Sequence, residues 1–252
     1  MKTTTAEIYL FDTCTHKCAY CHLAETGKVL DSSQVKPYRD PVFIDKVANF
    51  FVSRTNTKNN WAITLTGGEP LLMPNLRRFA EKMRLSGNKI AYYSALLVGE
   101  NTDQFQYLLN EGVENTDYIM ASFHPEAEQF EEKFFGKIKM LKQAGHNVIL
   151  RIVGHPDRIH RLDELANICK ALDISFHPTT LFSPEFPNKY SKEQKSRLSK
   201  HFLTMGQHIQ LNNGLDTNNL KCKAGKDIIS IDMRTGDITP CITVDKPIIG
   251  NI

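Results

Sequence analysis

The sequence predicts an α/β protein: a partial (β/α)6 TIM-like barrel followed by a small C-terminal β-hairpin extension. Three observations carry that expectation. Strand-like and helix-like segments alternate along most of the chain, which is the pattern of parallel βα units. The residues with distinctive chemistry fall just after strand-like segments, the ends at which parallel α/β folds hold their ligands. From about Leu211 the alternation stops and a hairpin pattern replaces it.

Taken in order, the first strand is expected over Ala6–Phe11, directly before a loop with three cysteines. The stretch Glu25–Asp40 is polar and reads as loop. A helix follows over Pro41–Arg54, with Ile44, Val47 and Phe51 on one face at helical spacing. The second strand is Trp61–Thr66, and a helix over Met73–Leu85 is closed by Gly87. Strand three is Lys89–Ser94, then a helix over Thr102–Asn110, then strand four over Tyr118–Ser122. The fourth helix carries Phe130, Phe134, Ile138 and Leu141 on one face and stops at Gly145. Strand five is Val148–Val153, helix five Arg158–Leu172 and strand six Ile174–His177. A proline-bearing loop, Phe182–Pro187, precedes a polar helix over Ser191–Met205. Ile228–Asp232 and Ile238–Cys241, joined by a turn at Gly236, read as the hairpin.

With 252 residues the chain can form one large domain with a sizeable core. It is 41% hydrophobic and 23% charged, with a formal net charge of +3 and scattered basic residues, which argues against a nucleic-acid or membrane partner. No apolar run approaches the roughly 20 residues of a membrane-spanning helix. The polar N-terminal stretch from Met1 to Ala6 does not read as a signal peptide. Six cysteines, clustered rather than spread, argue for metal in a reducing compartment, so a cytoplasmic location is expected.

The run Cys14-Thr15-His16-Lys17-Cys18-Ala19-Tyr20-Cys21 spaces three cysteines by three and then two residues. Three thiolates so close on one loop converge on a soft metal centre. A four-iron cluster normally takes four protein thiolates, so three leave one iron open to a substrate or cofactor. A zinc site is the other reading, and it needs a fourth ligand, for which His16 or His22 is at hand. Downstream, Gly67-Gly68-Glu69-Pro70 follows the second strand. In this order and at this separation, the two motifs resemble those of the radical S-adenosylmethionine (SAM) enzymes.

That resemblance implies a [4Fe-4S] cluster held by Cys14, Cys18 and Cys21 as the catalytic centre, with SAM on its open iron. It implies the backbone of Tyr20 near the adenine, and Gly67 and Gly68 where the chain approaches the methionine end closely. Glu69 would meet the SAM ammonium. Ser94 and Ser122 fall where the family has polar contacts to ribose and carboxylate, and Arg151 can reach the SAM carboxylate. Strand-end hydroxyls and a surface ion pair are the plainer readings of these three. His124, before Pro125, and His177, before Pro178, are candidate substrate contacts or simply loop structure. Cys169 falls on an apolar helical stripe with Leu165 and Leu172 and reads as a buried structural thiol.

Cys222 and Cys241, with Gly236 between them, resemble the opening of the SPASM or twitch extensions of these enzymes, which bind auxiliary iron–sulfur clusters. Lys223-Ala224-Gly225, Pro240 and Gly250-Asn251-Ile252 fit the same pattern. The chain then divides into a barrel over 1–205 and an incomplete extension over 206–252. Two thiolates do not complete a four-iron site. A missing C-terminal segment, non-cysteine or substrate ligands, and a hairpin without its cluster all remain open explanations.

The function implied is reductive cleavage of SAM to a 5′-deoxyadenosyl radical that abstracts hydrogen from a substrate, giving oxidation or rearrangement. A reductase such as flavodoxin or ferredoxin would supply the electron. Because the first strand starts almost at once, with no module to grip a leader peptide, a small sugar- or nucleotide-like substrate is expected ahead of a ribosomal peptide. A non-catalytic iron–sulfur protein is the alternative of another class, and the intact Gly67-Gly68-Glu69-Pro70 argues against it.

Overall fold

The computed structural model describes residues 2–21, 31–181, 183, 185–212, 222–241 and 247–252. His22, one candidate zinc ligand, lies outside them, as do residues 25–30 of the polar stretch and residues 182 and 184 of the proline-bearing loop.

The six expected βα strands form in order: β1 Lys2–Tyr9, β2 Asn59–Thr66, β3 Lys89–Ser94, β4 Thr116–Ser122, β5 Val148–Val153 and β6 Ser175–Thr179. Each is parallel to its predecessor. Between them run α1 Pro41–Val52, α2 Leu76–Leu85, α3 Asp103–Asn110, α4 Glu131–Gln143 and α5 Leu162–Ala171. The sheet does not close on itself: its order is β6-β5-β4-β3-β2-β1-β7-β8-β9. The strand β7 Ile228–Asp232 lies parallel along the free edge of β1, and β8 Asp237–Thr239 and β9 Gly250–Asn251 follow antiparallel. The expected hairpin is therefore continuous with the barrel sheet and covers what would be an open edge.

Burial alternates along the strands. On β1, Ala6 and Ile8 are buried while Glu7 and Tyr9 are half-buried; on β5, Val148, Leu150 and Ile152 are buried while Arg151 and Val153 are not. One face is sealed by helices and the other is half-buried, carrying Glu7, Tyr9, Arg151 and Val153. The sealed face packs on α1 through Ile44, Val47, Ala48 and Phe51, and on α2 through Leu76, Phe79, Ala80 and Met83. Phe51 meets Trp61 edge-on at 5.3 Å, and burying each such aromatic contributes about 2–3 kcal/mol. Asp40 caps α1, accepting from Val42 N at 2.9 Å, with Pro41 in the first turn.

Two helices depart from the sequence reading. α5 starts at Leu162, because Pro156–Arg161 winds as a 3-10 turn that brings the Arg158 guanidinium to the Phe123 carbonyl at 2.9 Å. The polar helix after Ser191 splits into α6 Lys192–Ser199 and α7 Met205–Leu211. Thr204 forms a second capping box with Gln207, whose Nε2 also donates to the Pro178 carbonyl at 2.7 Å, so the chain restarts a helix there.

Candidate functional site

The cysteine loop leaves β1 through Phe11, Asp12 and Thr13, and this short segment is held from several sides. Gly68 N donates to the Phe11 carbonyl at 2.6 Å, and Glu69 N to the Thr13 carbonyl at 2.8 Å. The 3-10 turn Ser32–Arg39 supplies Gln34, whose Oε1 accepts from Asp12 N at 2.9 Å. Tyr38 of that turn donates its hydroxyl to the Leu10 carbonyl at 2.6 Å.

Beyond this base, Cys18 to Cys21 closes in a turn, with Cys21 N donating to the Cys18 carbonyl at 3.0 Å. Cys14, Cys18 and Cys21 line one cavity of about 330 Å³ at the carboxyl ends of β2 to β6. Burial first, then the negative charges of Glu69 and Cys21, push the Cys14 thiol up to about 11. Cys18 rises through burial and then through the Glu126 carboxylate, to which its thiol is hydrogen-bonded. Cys14 and Cys18 therefore hold their protons in the free protein, and metal uptake must release them. This donor set suits a cubane, in which each cysteine binds its own iron. Among the described residues, no three Cys, His, Asp or Glu side chains close round a single ion.

Gly67, Gly68 and Glu69 line the same cavity. Gly67 has φ +114°, a region only glycine enters freely. The Glu69 carboxylate is buried and accepts from Leu71 N at 2.9 Å, Ser94 Oγ at 2.7 Å and Ala95 N at 2.8 Å. Burial still wins over these donors and raises its pKa. Ser94 gives its hydroxyl proton to Glu69 and accepts from Leu96 N at 2.9 Å, so it acts on the cavity through Glu69.

Ser122, His124 and Arg151 complete the set that the structure brings to the cavity, with Tyr20 across from them. The Tyr20 hydroxyl and His124 Nδ1 lie 2.7 Å apart. Burial lowers the His124 pKa to about 4, so the ring is neutral at ordinary pH. The Arg151 guanidinium stands 5.8 Å from the Tyr93 ring centroid. His177 pairs in register with Arg151 but is not among the lining residues. The cavity also gathers His16, which the sequence offered beside the cysteines only as a zinc ligand, and Thr66, Tyr93 and Thr179, which the sequence reading did not assign to it. Thr66 and Thr179 close β2 and β6, so strand-end position was the available signal. Glu126 was also missed as a contact of the cysteine loop: its Oε1 accepts from Ala19 N at 3.1 Å.

Cys222 and Cys241 lie away from this cavity. Their segments meet through Gly225 N, which donates to the Pro240 carbonyl at 3.2 Å. Cys222 is exposed and Cys241 half-buried. Cys169 is 1% exposed on α5. A larger groove of about 620 Å³ between α2 and α3 holds Arg77, already paired with Glu81 and Glu111.

A family model described as a 4Fe-4S single cluster domain matches residues 5–138. Among solved structures, Streptococcus suis SuiB bound to S-adenosylmethionine superposes with a TM-score of 0.69 at 16% identity, covering 98% of this chain and 63% of that one. SuiB bound to its precursor peptide SuiA gives 0.68 at 14% identity, with 99% and 62% covered. Native anSMEcpe with bound AdoMet gives 0.64 at 15% identity, with 98% and 77% covered, and a further structure of it holds AdoMet and the Cp18Cys peptide. At these identities the likeness shows a shared fold, and the chain spans about 63% of the length of SuiB. No helix among the described residues is long and apolar enough to cross a membrane. The family match over more than half of the chain means that this protein belongs to the 4Fe-4S single cluster domain family, on a barrel shared with proteins solved with S-adenosylmethionine bound.

Proposed function

We propose that this chain cleaves SAM reductively and uses the resulting radical to modify a polypeptide side chain. The observation that carries the reading is the joining of two motifs at one cavity: the cysteine loop and Gly67-Gly68-Glu69 share its wall and are tied by the Gly68–Phe11 and Glu69–Thr13 backbone hydrogen bonds. When bound, the cluster supplies the electron that splits SAM into methionine and a hydrogen-abstracting 5′-deoxyadenosyl group.

The chain's own residues then have defined tasks. Cys14, Cys18 and Cys21 hold three irons and leave the fourth for SAM. Glu69 receives the SAM ammonium, fixed in place by Leu71, Ser94 and Ala95. Tyr20 lies by the adenine, and Ser122 and Arg151 take the ribose and carboxylate. Neutral His124, on the cavity wall, faces the substrate, while His177 stays off that wall. The segment 206–252 is an extension of the 1–205 barrel, in which Cys222 and Cys241 are candidate ligands of an auxiliary cluster. A small reductase such as flavodoxin or ferredoxin is the electron donor, in a reducing compartment such as the cytoplasm.

The peptide reading is supported by the peptides bound to SuiB and anSMEcpe, proteins that share this fold. They weigh against the small sugar- or nucleotide-like substrate expected from the sequence. The test is anaerobic turnover with dithionite and SAM, reading 5′-deoxyadenosine with peptide libraries or nucleotide sugars added. Stimulation and a mass change in peptides alone support the reading. Stimulation by nucleotide sugars alone returns the substrate to a small molecule. No 5′-deoxyadenosine under any condition leaves a non-catalytic iron–sulfur protein.

A further inference from the structure

The C-terminal hairpin reaches back to the root of the cysteine loop. Asp12, two residues before Cys14, is 1% exposed. Its Oδ1 accepts from the Tyr9 hydroxyl at 2.6 Å and from Arg234 Nη1 at 2.8 Å, a contact that spans 222 positions of sequence. Arg234 occupies the turn between β7 and β8. Its guanidinium lies 4.4 Å from the Tyr9 ring centroid, and Nη2 donates to Asp232 Oδ2 at 2.6 Å. The turn cannot drift from β1, because Met233 N donates to the Tyr9 carbonyl at 2.9 Å.

This contact differs from the surface ion pairs of the protein. In Arg78–Asp45, for example, side chains are 48% and 29% exposed, and such pairs contribute little. In Arg234–Asp12 the carboxylate is 2% exposed and the guanidinium 42%. Taking away the guanidinium would strand a buried carboxylate, which is costly. The strand-to-loop segment would move to rehydrate it. That segment also carries the Thr13 carbonyl, which accepts from Glu69 N. A shift at Asp12 is thereby felt at Cys14 on one side and at Glu69 on the other.

We infer that Arg234 is a positioning residue for the cysteine loop: acting through Asp12, it fixes how the loop leaves β1, so the C-terminal hairpin helps to set Cys14 against Glu69. The inference rests on the SAM-cleaving role proposed above. It gives the hairpin a task that needs no second cluster.

The test compares Arg234→Met, which keeps an apolar stem without charge, with Arg234→Lys, which keeps the charge. Amide hydrogen exchange over residues 12–21 is measured on the full chain before cluster reconstitution. The spectrum of the reduced cluster, with and without SAM, is recorded afterwards. In Arg234→Met, exchange over 12–21 should quicken about tenfold while the barrel strands keep their protection. The cluster should still load, its spectral response to SAM should be lost, and SAM cleavage should fall roughly ten- to a hundredfold. Arg234→Lys should recover part of each effect. Wild-type behaviour of Arg234→Met in both readouts overturns the inference. So does loss of protection across the whole barrel in both variants, since the contact is then a general stability contact. A wild-type protein that gives no response to SAM counts against the SAM-cleaving reading, while the exchange data on the cluster-free chain still decide the placement role.

Discussion

A methyl group built on Gly68 would stand 1.9 Å from the carbonyl oxygen of Thr13, the residue before Cys14. One built on Gly67 would stand 2.7 Å from the Phe11 carbonyl oxygen. The glycine pair is thus required by the backbone of the cysteine loop itself, before any ligand is considered. Two motifs some fifty residues apart in sequence form one surface. Gly68→Ala should cost about 3 kcal/mol in urea unfolding, as overpacking against backbone does, and should reduce cluster loading. Gly136, inside α4 with nothing within 4 Å of its added methyl, is the control. Gly136→Ala should stabilise by up to about 1 kcal/mol.

Lys137 supports the far side of the cavity. Its buried ammonium donates to the carbonyls of Leu96, at 2.9 Å, and Val98. That holds the loop in which Leu96 adopts φ +56° and Ala95 N reaches Glu69. Lys137→Met would leave two carbonyls without their donor, at a cost of about 2–3 kcal/mol. Chemical denaturation measures that loss, and isothermal titration should show weaker SAM binding than in the wild type.

Stability should fall with acidity in a window set by His124. Burial holds its folded pKa near 4, below the ordinary imidazole value of 6.5. The unfolded chain then binds a proton that the folded one refuses. The stability tied to the neutral ring is full above about pH 6.5 and is lost as pH falls toward 4. His16 and His146 are also lowered by burial and slope the same way. Urea midpoints between pH 7.5 and 4.5 should drop less steeply in His124→Gln than in the wild type; equal slopes would refute the assignment.

Cys169 separates packing from ligation. Burial pushes its thiol up to about 12, and it sits in the α5 core stripe. Cys169→Ala should cost about 1 kcal/mol for a small lost volume while leaving iron content unchanged. A fall in iron would place it with the cluster cysteines.

Much of the fold was legible because apolar alternation and helical spacing coincide with real faces: β3 and β5 begin and end where the pattern places them, at Lys89–Ser94 and Val148–Val153. The restart of a helix at Thr204 was missed, although Thr204 and Gln207 carry the capping-box spacing, because an unbroken polar helix fits the same residues. β9 has only two residues and no pattern to read. The cysteine loop and Gly67-Gly68-Glu69 were legible as motifs. Their mutual contact was not, nor was Ser94 as the holder of Glu69, since both depend on tertiary approach. The Arg234–Asp12 contact is a further case, joining residues 222 positions apart through one buried carboxylate.

The central claim is that Cys14, Cys18 and Cys21 hold a four-iron cluster with one iron open to SAM. Iron and sulfide per chain, counted after anaerobic reconstitution of the wild type and of the Cys14→Ala/Cys18→Ala/Cys21→Ala variant, test it most directly. The account predicts at least about four irons in the wild type, the content of one cubane, and about four fewer in the variant. A variant with wild-type iron, or a wild type that loads none, would contradict it.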